Sequence, residues 1–463
     1  MAAAGMRDLT VGKPGRLILR FAMPLLLGYL CQKLYNVVDT AIVGRCLGAV
    51  SLSAVGCTGP VNFLVLGFVT GVTVGFSIPV AQYFGAGEPS EMRRYVQNAL
   101  PLCAGISLLL GALTGVFCPQ ILRLMNTPEE IFGEAAAYIR IIFFGIPVTM
   151  VYNMASGILR SLGDSRTPVF FVVLASVVNV GLDLLMIRGF GMGVEGAAAA
   201  TLISQLLSGL GCVAVLARRF PILRATPEEK RLSAPRMKKL LGIGIPTGLQ
   251  YSFTAIGSIV LQTFVNGLGT LAVGAVTAGI KVSLFCTSLF DALETAIATY
   301  AGQNAGAGKV ERIRQGVRAT LGAGLAHTVL ISVLLWNFGN VFTGVFLDAS
   351  ESRMVDMAWQ YLRVNGVLYL FLLNVQVFRS CIQGMGFTRI AMCSGLVEMT
   401  ARTFVSAVLI PVYGFDAACF AHPAAWFAAN LFLIPCYFRQ LKKLEAAAKK
   451  KRSEENVMLN GGM

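Results

Sequence analysis

The sequence predicts an all-α polytopic membrane protein, with twelve transmembrane helices in two parallel six-helix repeats around a central cleft. Three observations predict it. Only 13% of the 463 residues are charged and 56% are hydrophobic, against about 25% charged in soluble domains. The apolar residues fall in unbroken runs of membrane-crossing length. Short motifs recur at an offset of 221 to 223 residues.

The runs come first. Val50–Gln82 holds no charged residue, nor do Tyr95–Cys118, Ala197–Ala217, Leu240–Leu268 and Ala319–Leu347. Each reaches the roughly 20 residues that cross about 30 Å of hydrocarbon. With the interrupted runs added, spans are expected at 17–44, 50–82, 95–118, 135–159, 168–187, 197–217, 240–265, 272–303, 319–347, 358–378, 390–410 and 417–438. They are continuously apolar rather than alternating, which excludes a transmembrane β-barrel. The first 16 residues lack an apolar core, so no cleavable signal is expected. The tail from Leu444 to Met463 is polar and ends in glycine, and fraying is expected there.

The net charge of +15 raises nucleic acid as a partner, and its distribution removes it. With the N-terminus inside, the inner segments hold 29 of the 38 basic residues, eight of them between 217 and 239. The outer loops hold Arg45, Arg123, Arg188 and Arg353. This is the positive-inside asymmetry, and it places both termini in the cytoplasm with the chain in the inner membrane. The expected organisation is an N-terminal lobe (1–216), a basic cytoplasmic linker (217–239), a C-terminal lobe (240–440) and a cytoplasmic tail (441–463). The partners implied are the lipid bilayer and small molecules, and a monomer is expected. Eleven cysteines without a C-x-x-C pair read as packing, with no disulfide framework or metal site.

The repeat is read from motifs. Gln82-Tyr-Phe-Gly-Ala-Gly-Glu88 returns as Gln303-Asn-Ala-Gly-Ala-Gly-Lys309. Leu47-Gly48 returns as Leu268-Gly269, Arg93 as Arg314, Tyr138-x-Arg140 as Tyr361-x-Arg363, and Gly163-x-x-Arg166 as Gly386-x-x-Arg389. Pro24 and Pro246 stand 222 apart. Six spans per half make the repeats parallel, related by an axis along the membrane normal. Two such bundles would enclose a cleft able to open to either side.

Two glycine motifs imitate nucleotide sites. Gly191-x-Gly193-x-x-Gly196 follows an apolar helix in an outer turn, and Gly302 to Lys309 ends in Val310 where a phosphate loop needs Ser or Thr. Both read as helix–helix turns, so no nucleotide is expected. A membrane-embedded enzyme would need a His-based, metal or paired-carboxylate site. The two histidines, His327 and His422, both lie in apolar helices, so no catalytic residues are assigned.

Ten ionisable residues fall within spans, each costing about 2.5–3.5 kcal/mol on insertion scales, so each should face protein or water. Arg140 and Arg363 lie near helix ends, where they can snorkel. Glu398 and Arg402, spaced i,i+4, are expected to pair. Asp291 and Glu294 share a helix face and could meet Lys281 or line the cleft. With Lys33, Asp39 and Asp183 the set is complete. Asp39 lies one turn from Tyr35 and Asn36, and Asp183 one turn from Asn179. Neither has a basic residue at i±3 or i±4. A desolvated carboxylate of this kind can take up and release a proton, or bind sodium with neighbouring oxygens. Their second-half equivalents are Leu261 and Ser406, so coupling chemistry would sit in the N-terminal half alone. Met154, Phe253 and Phe285 are candidates for the cleft wall.

Taken together, Pro24, Asn36-Val-Val-Asp39-Thr, Val43-Gly44-x-x-Leu47-Gly48, Gly85-Ala-Gly87, Gly302-Gln-Asn-x-Gly-Ala-Gly308-Lys-x-x-Arg312-Ile, and Asn179-x-x-x-Asp183 before Gly191-Met-Gly193-Val-x-Gly196-Ala-Ala resemble the multidrug and toxic compound extrusion (MATE) family. The resemblance covers about residues 14–440. It implies a proton- or sodium-coupled antiporter exporting amphipathic, often cationic compounds, with no other cofactor. It is closer to the DinF-like branch, whose first-lobe cation site matches Tyr35, Asp39, Asn179, Asp183 and Thr201. Acidic residues of another branch, on the seventh and tenth helices, are absent from 240–265 and 358–378. A lipid-linked oligosaccharide flippase shares the architecture but wants a cationic cavity, whereas the ten embedded charges divide evenly by sign.

Overall fold

The computed structural model describes residues 6–347 and 351–460, and all their regular structure is helical. Helix α1 (Pro14–Leu47) opens with proline at its first position, where the missing N–H is harmless. Gly48 ends it at φ 93°, a conformation glycine adopts without penalty. The second span is α2 (Ala49–Cys57) followed by α3 (Gly59–Gly85). Next come α4 (Pro89–Val116), the short α5 (Cys118–Leu124), and α6 (Glu129–Phe144) with α7 (Ile146–Ser161), which meet at a 46° bend. The first half closes with α8 (Arg166–Leu184), widened into a π turn over Leu185–Gly189, and α9 (Val194–Arg219).

The second half repeats this plan. It begins with α10 (Ala234–Asn266), then α11 (Thr270–Cys286) and α12 (Ser288–Gly306), bent by 48° at their junction. After them come α13 (Val310–Thr343), α14 (Ser352–Gly384), α15 (Thr388–Phe404) with a π turn over Val405–Leu409, the one-turn α16 (Ile410–Tyr413), and α17 (Phe415–Asn460). Among the described residues, nine helices are long and apolar enough to cross a membrane, or eleven if each bent pair is one span. The twelfth expected span is α10, 33 residues long but diluted by Gln250, Ser252, Thr254 and Ser258. Large side chains such as Val177, Phe404 and Leu431 stand on the surface, as bilayer contact requires.

The backbone carries the repeat more plainly than the sequence does. Left-handed glycines fall in pairs: Gly48 with Gly269, Gly87 with Gly308, Gly163 with Gly386, and Gly191 with Gly414. The paired Gln-x-x-Gly-Ala-Gly motifs are more than turns. A Cβ added to Gly85 would strike the Gln303 backbone, and one added to Gly306 would strike that of Gln82. Each motif therefore uses its glycine to admit the other's main chain.

The chain divides into two compact units. One comprises Arg7, Met23–Val80 and Pro89–Ile259; the other comprises Asp8–Ala22, Ala81–Glu88 and the chain from Val260 onward. Within the first, α3 crosses the start of α10 on small residues: a Cβ at Gly75 would lie 2.6 Å from Gly244 Cα. Also within it, the 220–233 segment is pinned to α4. Arg93 grips the Glu229 carboxylate with two bonds of 2.7 Å and donates to the Ile222 carbonyl at 3.1 Å. Arg236 is bidentate on Glu91, and Asn98 accepts the Ser233 N–H at 2.7 Å. Those two Arg93 bonds, with the Thr226 N–H, hold the Glu229 carboxyl well below the usual carboxylate range. In the second unit α14 is central, packed against α11, α12, α13 and α17.

One expectation changes here. The tail does not fray from Leu444, because α17 continues as helix to Asn460; Gly461–Met463 lie outside the described residues.

Candidate functional site

The first unit holds a cavity of about 330 Å³ lined largely by uncharged polar side chains. Helix α1 contributes Tyr35, Asn36 and Asp39; α8 contributes Ser176 and Asn179; α9 contributes Thr201, Ser204 and Gln205. The three helices bring these groups together because the residues recur at one-turn intervals, 35–39, 176–179–183 and 201–204–208, each forming a stripe.

Asp183 is fully buried and Asn179 nearly so. The Asp39 and Asp183 carboxyls lie within hydrogen-bonding reach of one another, and the Tyr35 hydroxyl is within reach of Thr201. Asn179 Nδ2 stands 3.5 Å from Thr201 Oγ1. Among the described residues no donor serves either oxygen of Asp183, Oδ1 of Asp39 or Oδ1 of Asn179. Buried acceptors are normally satisfied. Four acceptor atoms without donors, two carboxyls among them, form a group able to take up a proton or surround a small cation. All five residues named from the sequence, Tyr35, Asp39, Asn179, Asp183 and Thr201, meet here.

Several residues of this cavity carry no charge or motif that would have singled them out. Asn153 Nδ2 donates to Thr70 Oγ1 at 3.3 Å and Thr149 Oγ1 donates to Gln205 Oε1 at 2.8 Å, while Asn62 and Tyr152 complete the wall beside Tyr138, which the sequence marks only as part of the repeat. The available signal was the presence of amides and hydroxyls on otherwise apolar α3 and α7.

The second-unit residues form a separate cluster. Arg379 donates to Glu398 at 2.9 Å and lies 3.8 Å from Glu294, which also accepts from Ser380 Oγ at 2.8 Å. Gln376 donates to Asp291 at 3.3 Å, and Arg402 is buried on the same helix as Glu398. Arg379 follows directly on the expected span 358–378, and the sequence counts it among the 29 basic residues of the inner segments. It is instead 8% exposed, because α14 extends past the expected span to Gly384. Lys281 stays outside this cluster, exposed, with its ammonium over the Phe346 ring at 5.7 Å. Phe285 lines a small apolar cavity of about 230 Å³ in this unit.

The MatE family profile matches the chain twice, over residues 24–185 and again over 246–408. The probable multidrug resistance protein YpnP of Bacillus subtilis is 32% identical, the alignment covering 79% of this chain and 81% of that protein. A protein of Shewanella oneidensis named FAD transporter is 27% identical over 77% and 79% of the two chains. The probable multidrug resistance protein NorM of Thermotoga maritima is 25% identical over 86% of each. Among solved structures, a MATE protein in complex with MaL6 superposes with a TM-score of 0.88 at 21% identity, covering 96% of this chain and all of that one. A MOP superfamily transporter from Pyrococcus furiosus gives 0.89 at 21% identity, covering 96% and 99%.

Proposed function

The chain belongs to the MatE family of multi-pass membrane transporters, and from that premise we propose that it is a cation-coupled antiporter exporting amphipathic, cationic small molecules by alternating access. Both termini and the linker lie in the cytoplasm and the chain sits in the inner membrane. Within the family it falls in the DinF-like branch, with its coupling site in the first lobe. The single observation that carries this reading is the carboxyl pair: Asp39, half-buried on the wall of the polar cavity, and Asp183, fully buried next to it, with no donor on either oxygen of Asp183 or on Oδ1 of Asp39. A pair of this kind loads an ion on one side and releases it on the other. Tyr35 and Thr201 fix the geometry of the wall around it. Asp39 alone also lines the cavity, so it is the member that meets the ion first.

Everted membrane vesicles test this directly. Transport of an organic cation, followed with an imposed pH gradient and separately with a sodium gradient, should respond to one of them without ATP. Transport only with ATP, persisting with uncoupler, would refute antiport. A second substrate class has its own support, since one relative is named FAD transporter. A dinucleotide anion therefore belongs in the same assay. A cysteine at Lys230 should resist labelling from outside intact cells, and strong labelling there would reverse the topology.

A further inference from the structure

We propose that an anionic phospholipid of the surrounding bilayer occupies a second cavity of the first unit, its acyl chain lying against α4, α7 and α9 and its phosphate on Arg224. The cavity measures about 650 Å³, within the roughly 300–1,000 Å³ of ligand pockets. It shares no lining residue with the polar cavity. Apart from Gln97 and Ser107 its walls are apolar, and among the described residues Arg224 is its only charged lining residue.

The access route is lateral. Leu100 and Leu108 on α4, Val151 on α7 and Val213 on α9 line the cavity and are between 40% and 63% exposed. Side chains of this kind on membrane-crossing helices face hydrocarbon, so a chain can enter from the bilayer without crossing water. Met154, a candidate for the cleft wall on sequence grounds, lies buried in this cavity instead.

The charged end is built. Arg224 follows the 3₁₀ turn Pro221–Leu223, and that turn is fastened by the bond from Arg93 to the Ile222 carbonyl. Arg93 is itself committed to Glu229. Among the described residues, by contrast, Arg224 has neither an acidic partner nor a hydrogen-bond acceptor. Arg224 is exposed, so its guanidinium is open to an anion beside the cavity mouth, and the occupant that suits both ends is long and apolar with an anion at one end. A neutral lipid leaves Arg224 unmatched, and a free phosphate leaves the apolar wall unfilled. Basic pockets at the ends of transmembrane helices bind anionic headgroups for the same reason.

Native mass spectrometry of the full chain in detergent tests the proposal, with dioleoylphosphatidylglycerol titrated against dioleoylphosphatidylcholine. The first phosphatidylglycerol should bind about fivefold more tightly, the effect of one basic residue at a membrane surface. Arg224→Gln should abolish that preference and Arg224→Lys should keep most of it. Ala104→Phe, which projects into the cavity from an exposed position on α4, should weaken both lipids. Glycerol 1-phosphate, a headgroup without chains, should not compete. Unfolding midpoints matched to the parent identify folded variants. An unchanged preference in Arg224→Gln, undiminished binding in Ala104→Phe, or competition by glycerol 1-phosphate would each overturn the proposal. A lipid-free dimer in the parent spectrum, lost in Ala104→Phe, would overturn it in favour of a second copy on this face.

Discussion

Asp183→Asn exchanges one oxygen of a fully buried carboxylate for an amide donor while keeping the side chain's shape. Its surroundings offer two acceptors without donors, Asp39 Oδ1 and Asn179 Oδ1. A buried acceptor left unsatisfied costs about 1–3 kcal/mol, and a new hydrogen bond returns about 1 kcal/mol net. The variant should therefore be as stable as the parent or more so, by about 1 kcal/mol. Transport should move the other way. One charge crossing 100 mV supplies about 2.3 kcal/mol, enough for roughly a forty-fold gradient of a neutral substrate at about 1.4 kcal/mol per tenfold. A monovalent cation exchanged for one proton moves no net charge and draws on the pH gradient instead, about tenfold per unit. An asparagine can do neither, so the accumulation ratio should fall to near one. The assay is gradient-driven efflux from proteoliposomes at matched protein density, beside thermal unfolding in detergent. Asp39→Asn should behave likewise. Parental export by both variants would refute the coupling argument, and Asp291 and Glu294 would then be the next carboxylates to replace.

Three further outcomes follow from packing and charge. Gly85→Val and Gly306→Val should each lose about 1–3 kcal/mol or more through forced separation of main chains, whereas Gly133→Ala, with open space around it, should not; unfolding midpoints decide it. Glu398→Gln leaves buried Arg379 short of its close partner and should destabilise by about 3–5 kcal/mol, with transport per folded molecule retained; a transport defect at parental stability would move this cluster into the mechanism. Because Arg93 depresses Glu229, the carboxylate's contribution is fully present above the ordinary glutamate range and is lost progressively as pH falls from that range toward the depressed value. Limited proteolysis of the 220–233 segment should accordingly stay slow down to pH 4 in the parent and be fast at every pH in Glu229→Gln; an abrupt rise in the parent near pH 5 would contradict this.

Spans and repeat were legible because hydrocarbon imposes one strong rule: about 20 apolar residues per crossing. The same rule explains where reading failed. Several helices here run to 33 or 34 residues, longer than the bilayer needs, and a charge just past an apolar run reads as a loop charge. Arg379 is such a case, since its burial depends on where α14 stops rather than on its neighbours in sequence. The carboxyl pair was legible because aspartate is so costly in a span that each instance asks for a reason. Thr70, Thr149 and Asn153 ask for none, as amides and hydroxyls can bond to their own helix and pass unnoticed. Only the packing of α7 against α9, and the approach of α3, turns them toward one space.

Duplication copied the backbone more faithfully than the chemistry. The left-handed glycines, the two π turns and the reciprocal Gly85 and Gly306 contacts recur in both halves because each is a condition for packing six helices. Asp39 and Asp183 have no such constraint, and their counterparts are Leu261 and Ser406. Leu261 belongs to an apolar core cluster of the second unit, so the matching position there is filled with hydrocarbon. The second unit gathers Glu294 and Glu398 around the one guanidinium of Arg379, with Asp291 held by Gln376, an arrangement that ties its helices together. If one half is to bind and release a cation while the other stays fixed in charge, this division of carboxylates is the arrangement required.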